Sequence, residues 1–445
     1  MDNLVAKYKK LFLIILSILA YIGLGYFVPR ENFIYLASLY TITFLCFYYI
    51  YKYKMEYDDK ILFRLGLLLR FLLLFCLPFW SQDFYRFIWD GRLILSEMSP
   101  YAFKPQDIID SVTISQSKEL FEGMGSLSAQ HYSNYPPVNQ ILFVIAAILS
   151  SKSIFFSALI LKIIVLLSDV GIYYYGKKVL RILKINPKRI FLYFLNPLVI
   201  IELTGNLHFE GVMLLFFVMG LYFFFLEREI ISAVLIGLSI ATKLLPLLLL
   251  PFFFQKLKLK KSIVFYSIII GLNVLLFLPF ITKDLIANYS ETIALWFVNF
   301  EFNASFYYLF REIGFYIKGY NTIGIIGKIT PVVSILIILF YSLYKKNIDA
   351  KEMLTNSLIA LSFYFFISTT IHPWYLINLM LLCIFTKFRF PIIWAFFVIL
   401  SYFAYSQTPF KESYVLIFLE YLFVISFLIY ESFPKIFKNN SVKMF

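Results

Sequence analysis

KKVLRILKINPKR, Lys177 to Arg189, carries six basic residues and no acid, with long apolar runs on both sides. The run before it, 154–175, is long enough to traverse a hydrocarbon core as a helix. Similar runs recur at 11–28, 33–50, 61–79, 189–203, 208–227, 261–281, 322–344, 354–371, 374–387, 390–406 and 413–432. With 61% hydrophobic and 15% charged residues among 445, the chain lies outside the range of a soluble domain. The sequence therefore predicts an all-α polytopic membrane protein, with 1–445 forming one integral membrane domain. The run from Leu11 shows no small-residue cleavage site and is followed at once by another, so it reads as a retained first helix.

The side on which 177–189 lies decides how often the chain crosses. Loops rich in Lys and Arg stay on the cytoplasmic side. Further basic markers are Lys7/Lys9/Lys10, Lys52/Lys54, KLKLKK (256–261), Lys345/Lys346, Lys387/Arg389 and Lys435/Lys438. If all of them face inward, two further apolar stretches, 139–150 and 231–254, fold back instead of crossing. The first is short, and the second is interrupted by Lys243 and by Pro246, which removes a helical hydrogen bond. About twelve crossings result; the rival, fourteen, exposes 177–189 outside. The net charge of +14 is thus explained by inward loops, and nucleic acid is not expected as a partner. Cys46, Cys76 and Cys383 lie inside apolar runs without paired spacing and read as small core residues.

Besides short turns, this topology leaves outside 81–138, GNLHFE (205–210), 282–321 and His372-Pro-Trp-Tyr375. The first is the longest, and loops of that length are usually functional. It opens with WSQDFYRFIWDGR, Trp80 to Arg92. On an interfacial helix, Asp83 and Asp90 share one face, with Arg86 and Phe87 between them. The segment either anchors the third span through its aromatic rings or holds a carboxylate over a cavity. Asn134-Tyr135-Pro136-Pro137, further on, is a helix-start signal. His131, His208 and His372 are each either hydrogen-bonded structural groups or ligands. Glu210 suits a helix N-terminus, yet it is also an ionisable group at a bundle's edge. Lys243 either snorkels or meets an anion. Asp58-Asp59, among Lys52, Lys54, Lys60 and Arg64, reads as a solvated inner turn.

The order of these pieces resembles the polyprenol-phosphate-sugar-dependent glycosyltransferases of the GT-C fold, and most of all their mannosyltransferase-type bacterial branch. A WDGR-like segment, Pro100-Tyr101 and Tyr135-Pro-Pro137 come first. Asn196-Pro-Leu and Gly205-Asn-Leu-His-Phe-Glu210 are similar to that branch's NP…GN-H segment. Gly237-Leu-Ser-Ile-Ala-Thr-Lys243-Leu-Leu-Pro246 and His372-Pro-Trp-Tyr375 are similar to its TK and HPWY segments. One departure is Ser96-Glu-Met-Ser-Pro-Tyr101, where relatives often carry Gly-x-Asn-Pro-Tyr.

The resemblance implies a GT-C-like helical bundle of about 12 transmembrane helices with a long first outer catalytic loop, in the cell (inner) membrane. It implies transfer of a hexose, mannose above all, from a polyprenyl-phosphate donor to a glycan or glycolipid acceptor on the non-cytoplasmic face. Asp83 matches the general base by position, with Asp90 as the runner-up or as a partner that holds Arg86 in place. Arg86, Arg92, His372 and Lys243 are the cations for the leaving phosphate, a task that suits the arginine fork. Tyr135, His208, Glu210, Trp374 and Tyr375 complete the expected substrate site, with no metal or cofactor expected. Two other readings are a lipid or polysaccharide transporter and a lipid-linked glycan polymerase or ligase.

Overall fold

A computed structural model describes residues 2–433; Lys435 and Lys438 lie outside the described residues. The chain is a bundle of helices: α1 (Asp2–Tyr26), α2 (Phe33–Lys52), α3 (Asp59–Leu72), α4 (Asp83–Leu95), α5 (Ser117–Ala129), α6 (Pro137–Leu149) and α7 (Ile154–Ile182). There follow α8 (Glu210–Phe225), α9 (Glu229–Ile240), α10 (Phe254–Phe277), α11 (Leu285–Val298), α12 (Phe306–Lys318) and α13 (Ile323–Leu339). The last are α14 (Ala350–Ile367), α15 (Leu376–Phe385), α16 (Phe390–Phe397) and α17 (Tyr414–Ser432). Among the described residues, six helices are long and apolar enough to cross a membrane, or seven if the bent pair Pro197–Gly205 and Glu210–Phe225 makes one span. The protein is therefore membrane-associated and all-α.

This count differs from the twelve expected, because several apolar runs do not form continuous helices. α3 stops at Leu72, although its run continues to Phe79. The carbonyls of Leu73 and Cys76 accept from the Lys162 ammonium at 2.8 and 2.6 Å, and Pro78 has no N–H to offer a further turn. The run 189–203 breaks at Asn196-Pro197, where the Asn196 side chain caps the N–H of Leu198 at 2.9 Å. It continues as a π-helical turn over Ile200–Gly205, which meets α8 at 117°. The run 390–406 turns from α16 into a 3-10 helix.

The two interrupted stretches are short pieces. α6 has 13 residues, fewer than a crossing needs. Between α9 and α10 the chain doubles back through a 3-10 segment, Leu245–Phe253, headed by Pro246. Lys261 of α10 pairs with Glu229 at the start of α9, at 2.5 Å, and Asn273 Nδ2 reaches Gly237 O at 3.2 Å. The segment 229–257 thus returns to the level at which it began.

Buried charges tie α3 to α7. Arg70 Nε meets Asp169 Oδ2 at 2.7 Å with both side chains fully buried, and Arg70 Nη1 donates to Phe194 O at 2.7 Å. An uncompensated charge at this depth is costly, so each partner requires the other. α4 packs across α6 at Gly91, where a Cβ would stand 2.3 Å from Phe143 O. Only glycine permits that approach.

Candidate active site

Asp83 is the first residue of α4, and its backbone N–H donates to Ser81 Oγ at 3.3 Å. A carboxylate there is favoured by the helix dipole. Its side chain is about a third exposed. Burial pushes the Asp83 carboxyl up to about 6, while Lys243 and Arg30 pull it down and Glu210 pushes it up. A carboxyl poised in that range is suited to take a proton near neutral pH.

The GNLHFE stretch brings the next groups. Leu207 sits in the left-handed region at φ +63°, uncommon for a residue other than glycine, two residues past the π-helical turn. This local reversal aims His208 Nδ1 at Asp83 Oδ2, 4.0 Å away, and leaves His208 Nε2 3.5 Å from Glu202 Oε2. Glu202 is held by Tyr402 Oη at 2.8 Å and Asn206 Nδ2 at 3.1 Å. An imidazole therefore lies between two carboxylates. Glu210, two residues on, makes a close ion pair with Lys243 from the chain reversal after α9.

The HPWY corner supplies a wall of rings. His208 stacks on Trp374 with centroids 3.8 Å apart, and Trp374 stacks on His372 at 4.4 Å. Phe302 continues the column at 5.1 Å from His372. The corner is fixed by a short bridge, Phe302 N to Thr369 O at 3.1 Å and Ile371 N to Phe302 O at 2.8 Å. Tyr135 and Tyr375 lie within electrostatic reach of Asp83. Asp83, Tyr135, Lys243, Trp374 and Tyr375 are all partly open, whereas His208, Glu210 and His372 are buried behind them.

Three expected site residues have other partners. Arg86 Nε pairs with Asp90 Oδ1 at 2.7 Å, and its Nη1 donates to the carbonyls of Ser128 and His131 at 2.6 and 2.9 Å. Asp90 Oδ2 accepts from Ser133 Oγ at 2.5 Å and Gln140 Nε2 at 3.1 Å. Arg92 reaches Ser115 O at 2.5 Å and Lys152 O at 2.9 Å. These contacts clamp the 81–138 segment through carbonyls and a buried carboxylate, while Arg86 Nη2 is buried without a hydrogen-bond partner. His131 caps Leu127 O in the same loop at 2.7 Å.

Sequence reasoning missed Glu202, Tyr402 and Arg30. Arg30 was within reach of it, being a basic residue in the short turn 29–32 that the charge argument places outside. Glu202 gave no signal, since it falls within a run read as a plain span. Among the described residues no group of three or more His, Cys, Asp or Glu is gathered as a metal site would need.

Fold and site together define a helical membrane protein in which Asp83, His208 and Glu202 meet beside a wall of rings, next to the Glu210–Lys243 pair. Residues 37–257, about half of the chain, match the family model described as MptA_B family, alpha-(1->6)-mannopyranosyltransferase, N-terminal domain. The chain belongs to this family through that stretch and is a glycosyltransferase. No curated protein matches it. The matched stretch contains Asp83, His208, Glu210 and Lys243; Arg30 and the HPWY corner lie outside it.

Proposed function

We propose that the protein transfers a mannose residue from a polyprenyl-phosphate carrier to a hydroxyl of a glycan or glycolipid acceptor on the non-cytoplasmic face of the cell membrane. The observation that carries this reading is the Asp83 carboxyl, partly open at the head of α4 and 4.0 Å from His208, with Lys243 in electrostatic reach. In the step, the acceptor hydroxyl gives its proton to Asp83 as its oxygen attacks the anomeric carbon. The bond from that carbon to the phosphate oxygen breaks, and the polyprenyl phosphate leaves with the bonding pair. One displacement inverts the anomeric centre.

Lys243, held by Glu210, offsets the charge that grows on the departing phosphate. The Trp374 and Tyr375 rings suit the apolar face of a sugar, and Tyr135 offers a hydroxyl within the same opening. The His208–Trp374–His372 stack holds this wall rigid. In this reading the shorter apolar pieces, α6 and the doubled-back 229–257, remain on the side they enter from, and the 81–138 segment lies outside.

The experiment is to incubate the purified protein with a panel of polyprenyl-phosphate sugars and a mixed glycolipid acceptor. Transfer from the mannosyl donor, with polyprenyl phosphate released in equal amount, is the expected result. Transfer from a nucleotide sugar without any lipid carrier would overturn the reading.

A further inference from the structure

The donor reading requires a cation for a leaving phosphate, and the structure narrows the choice. Arg86 and Arg92 are engaged by carbonyls and Asp90. Lys243 is closely paired with Glu210, which shares its charge. The other cation that the Asp83 carboxylate feels is Arg30. Arg30 lies in the turn between α1 and α2, ahead of the stretch that matches the family model.

Its placement is built. The guanidinium lies over the Tyr405 ring at 4.4 Å, and Nη1 donates to Trp80 O at 3.3 Å, three residues before Asp83. Trp80 is itself fixed, its indole N–H donating to Val28 O at 2.9 Å and its ring meeting Tyr402 edge-on at 5.4 Å. Tyr405 touches Phe302, which stacks on His372, so a chain of rings runs from Arg30 to the HPWY corner, and Arg30 and Lys243 both act on the Asp83 carboxylate. The only carboxylate bonded to Arg30 among the described residues is Glu31, at 3.4 Å and more than half exposed. Such a pair is weak and screened. Arg30 is therefore held in place by an aromatic face and a carbonyl, with its charge largely uncompensated. Nη2 of this stacked guanidinium is unengaged among the described residues and Nε is held only by the exposed Glu31, so a phosphate that displaces Glu31 can be bonded by the Nε–Nη2 edge.

We infer that Arg30 binds the phosphate of an isoprenoid-phosphate lipid at the Asp83 site. This rests on the donor reading above. Bound there, the lipid phosphate lies between Arg30 and Lys243, and the same two cations receive the charge released when the sugar departs.

The test uses the full-length protein in nanodiscs of phosphatidylcholine, titrated with a polyprenyl monophosphate and, separately, with the corresponding polyprenol. Arg30→Ala is expected to weaken binding of the phosphate roughly 10- to 100-fold, the loss of one charge-assisted contact, and to leave the alcohol unchanged. Arg30→Lys restores part of the loss, because an ammonium keeps the charge without the fork. Arg30→Gln, which keeps a planar group over Tyr405, carries the same comparison should the alanine variant lower the melting temperature. Equal phosphate affinity in wild type and both neutral variants overturns the inference about Arg30 alone. A wild type that does not prefer the phosphate over the alcohol overturns the donor reading, and Arg30 with it. Replacing phosphatidylcholine with phosphatidylglycerol separates the two sources of phosphate. Displacement of the polyprenyl phosphate by that bulk lipid would make Arg30 a general headgroup anchor and overturn the proposal.

Discussion

Asp90 has both oxygens occupied, one by Arg86 and the other by Ser133 and Gln140, and it is fully buried. Asp83, on the same helix, has its carboxylate partly open, and among the described residues no Lys or Arg is bonded to it. The two acids should therefore separate cleanly under mutation. Arg86→Ala leaves a buried carboxylate without its counter-charge and is expected to cost about 3–5 kcal/mol, read as a lower melting temperature in detergent. Asp83→Asn should leave that temperature unchanged or raise it, because burial opposes the charged form of the native side chain. The pH dependence follows the same carboxyl. Its folded value is raised to about 6, so the proton-accepting form is complete above that pH and is lost as pH falls through it. The ratio kcat/KM is expected to decline on the acid side with a midpoint near 6. A profile flat down to pH 4.5 would exclude Asp83 as the titrating base.

Between elements, the closest contact near the site is the crossing of α4 and α6 at Gly91. A methyl group there would meet the Phe143 carbonyl. Gly91→Ala forces the helices apart and is expected to cost about 1–3 kcal/mol. Because the shift also moves Asp83, transfer activity should fall with stability, as thermal unfolding and rate measurements on one sample would show. This element scale is where the sequence was partly legible. The WDGR, GNLHFE, TK and HPWY segments could be named, and the structure gathers Asp83, His208, Lys243 and Trp374 from them around one opening. The Arg86–Asp90 pair could be read from its i,i+4 spacing, but the other partners of Arg86 and Arg92 could not, because Ser128, His131, Ser115 and Lys152 offer carbonyls distant in sequence. Backbone acceptors leave no mark on composition. Glu202 was hidden for a related reason: a π-helical turn cannot be told from ordinary helix by apolar periodicity.

For the whole molecule, the apolar runs identified a helical membrane protein, while their number overstated the continuous helices. A long apolar run licenses a crossing by length alone, yet Lys162 ends α3 from another helix and Asn196-Pro197 breaks the run before α8. Fold-back at 231–254 was readable because Lys243 and Pro246 interrupt it in sequence. Sidedness can be checked with single cysteines on a background lacking Cys46, Cys76 and Cys383. Arg181→Cys and Lys118→Cys, both at exposed positions, are expected to react with an impermeant maleimide from opposite faces of sealed vesicles. Labelling from one face would invert the placement of the 81–138 segment. All of this converges on one carboxyl. The most direct measurement is the single-turnover rate of mannosyl transfer from the polyprenyl-phosphate donor by purified wild type and Asp83→Asn, with donor binding measured on the same samples. The expected result is a rate lower by roughly 10²–10⁴, the usual worth of a general base, with donor affinity preserved. A variant that transfers mannose at the wild-type rate would contradict the account.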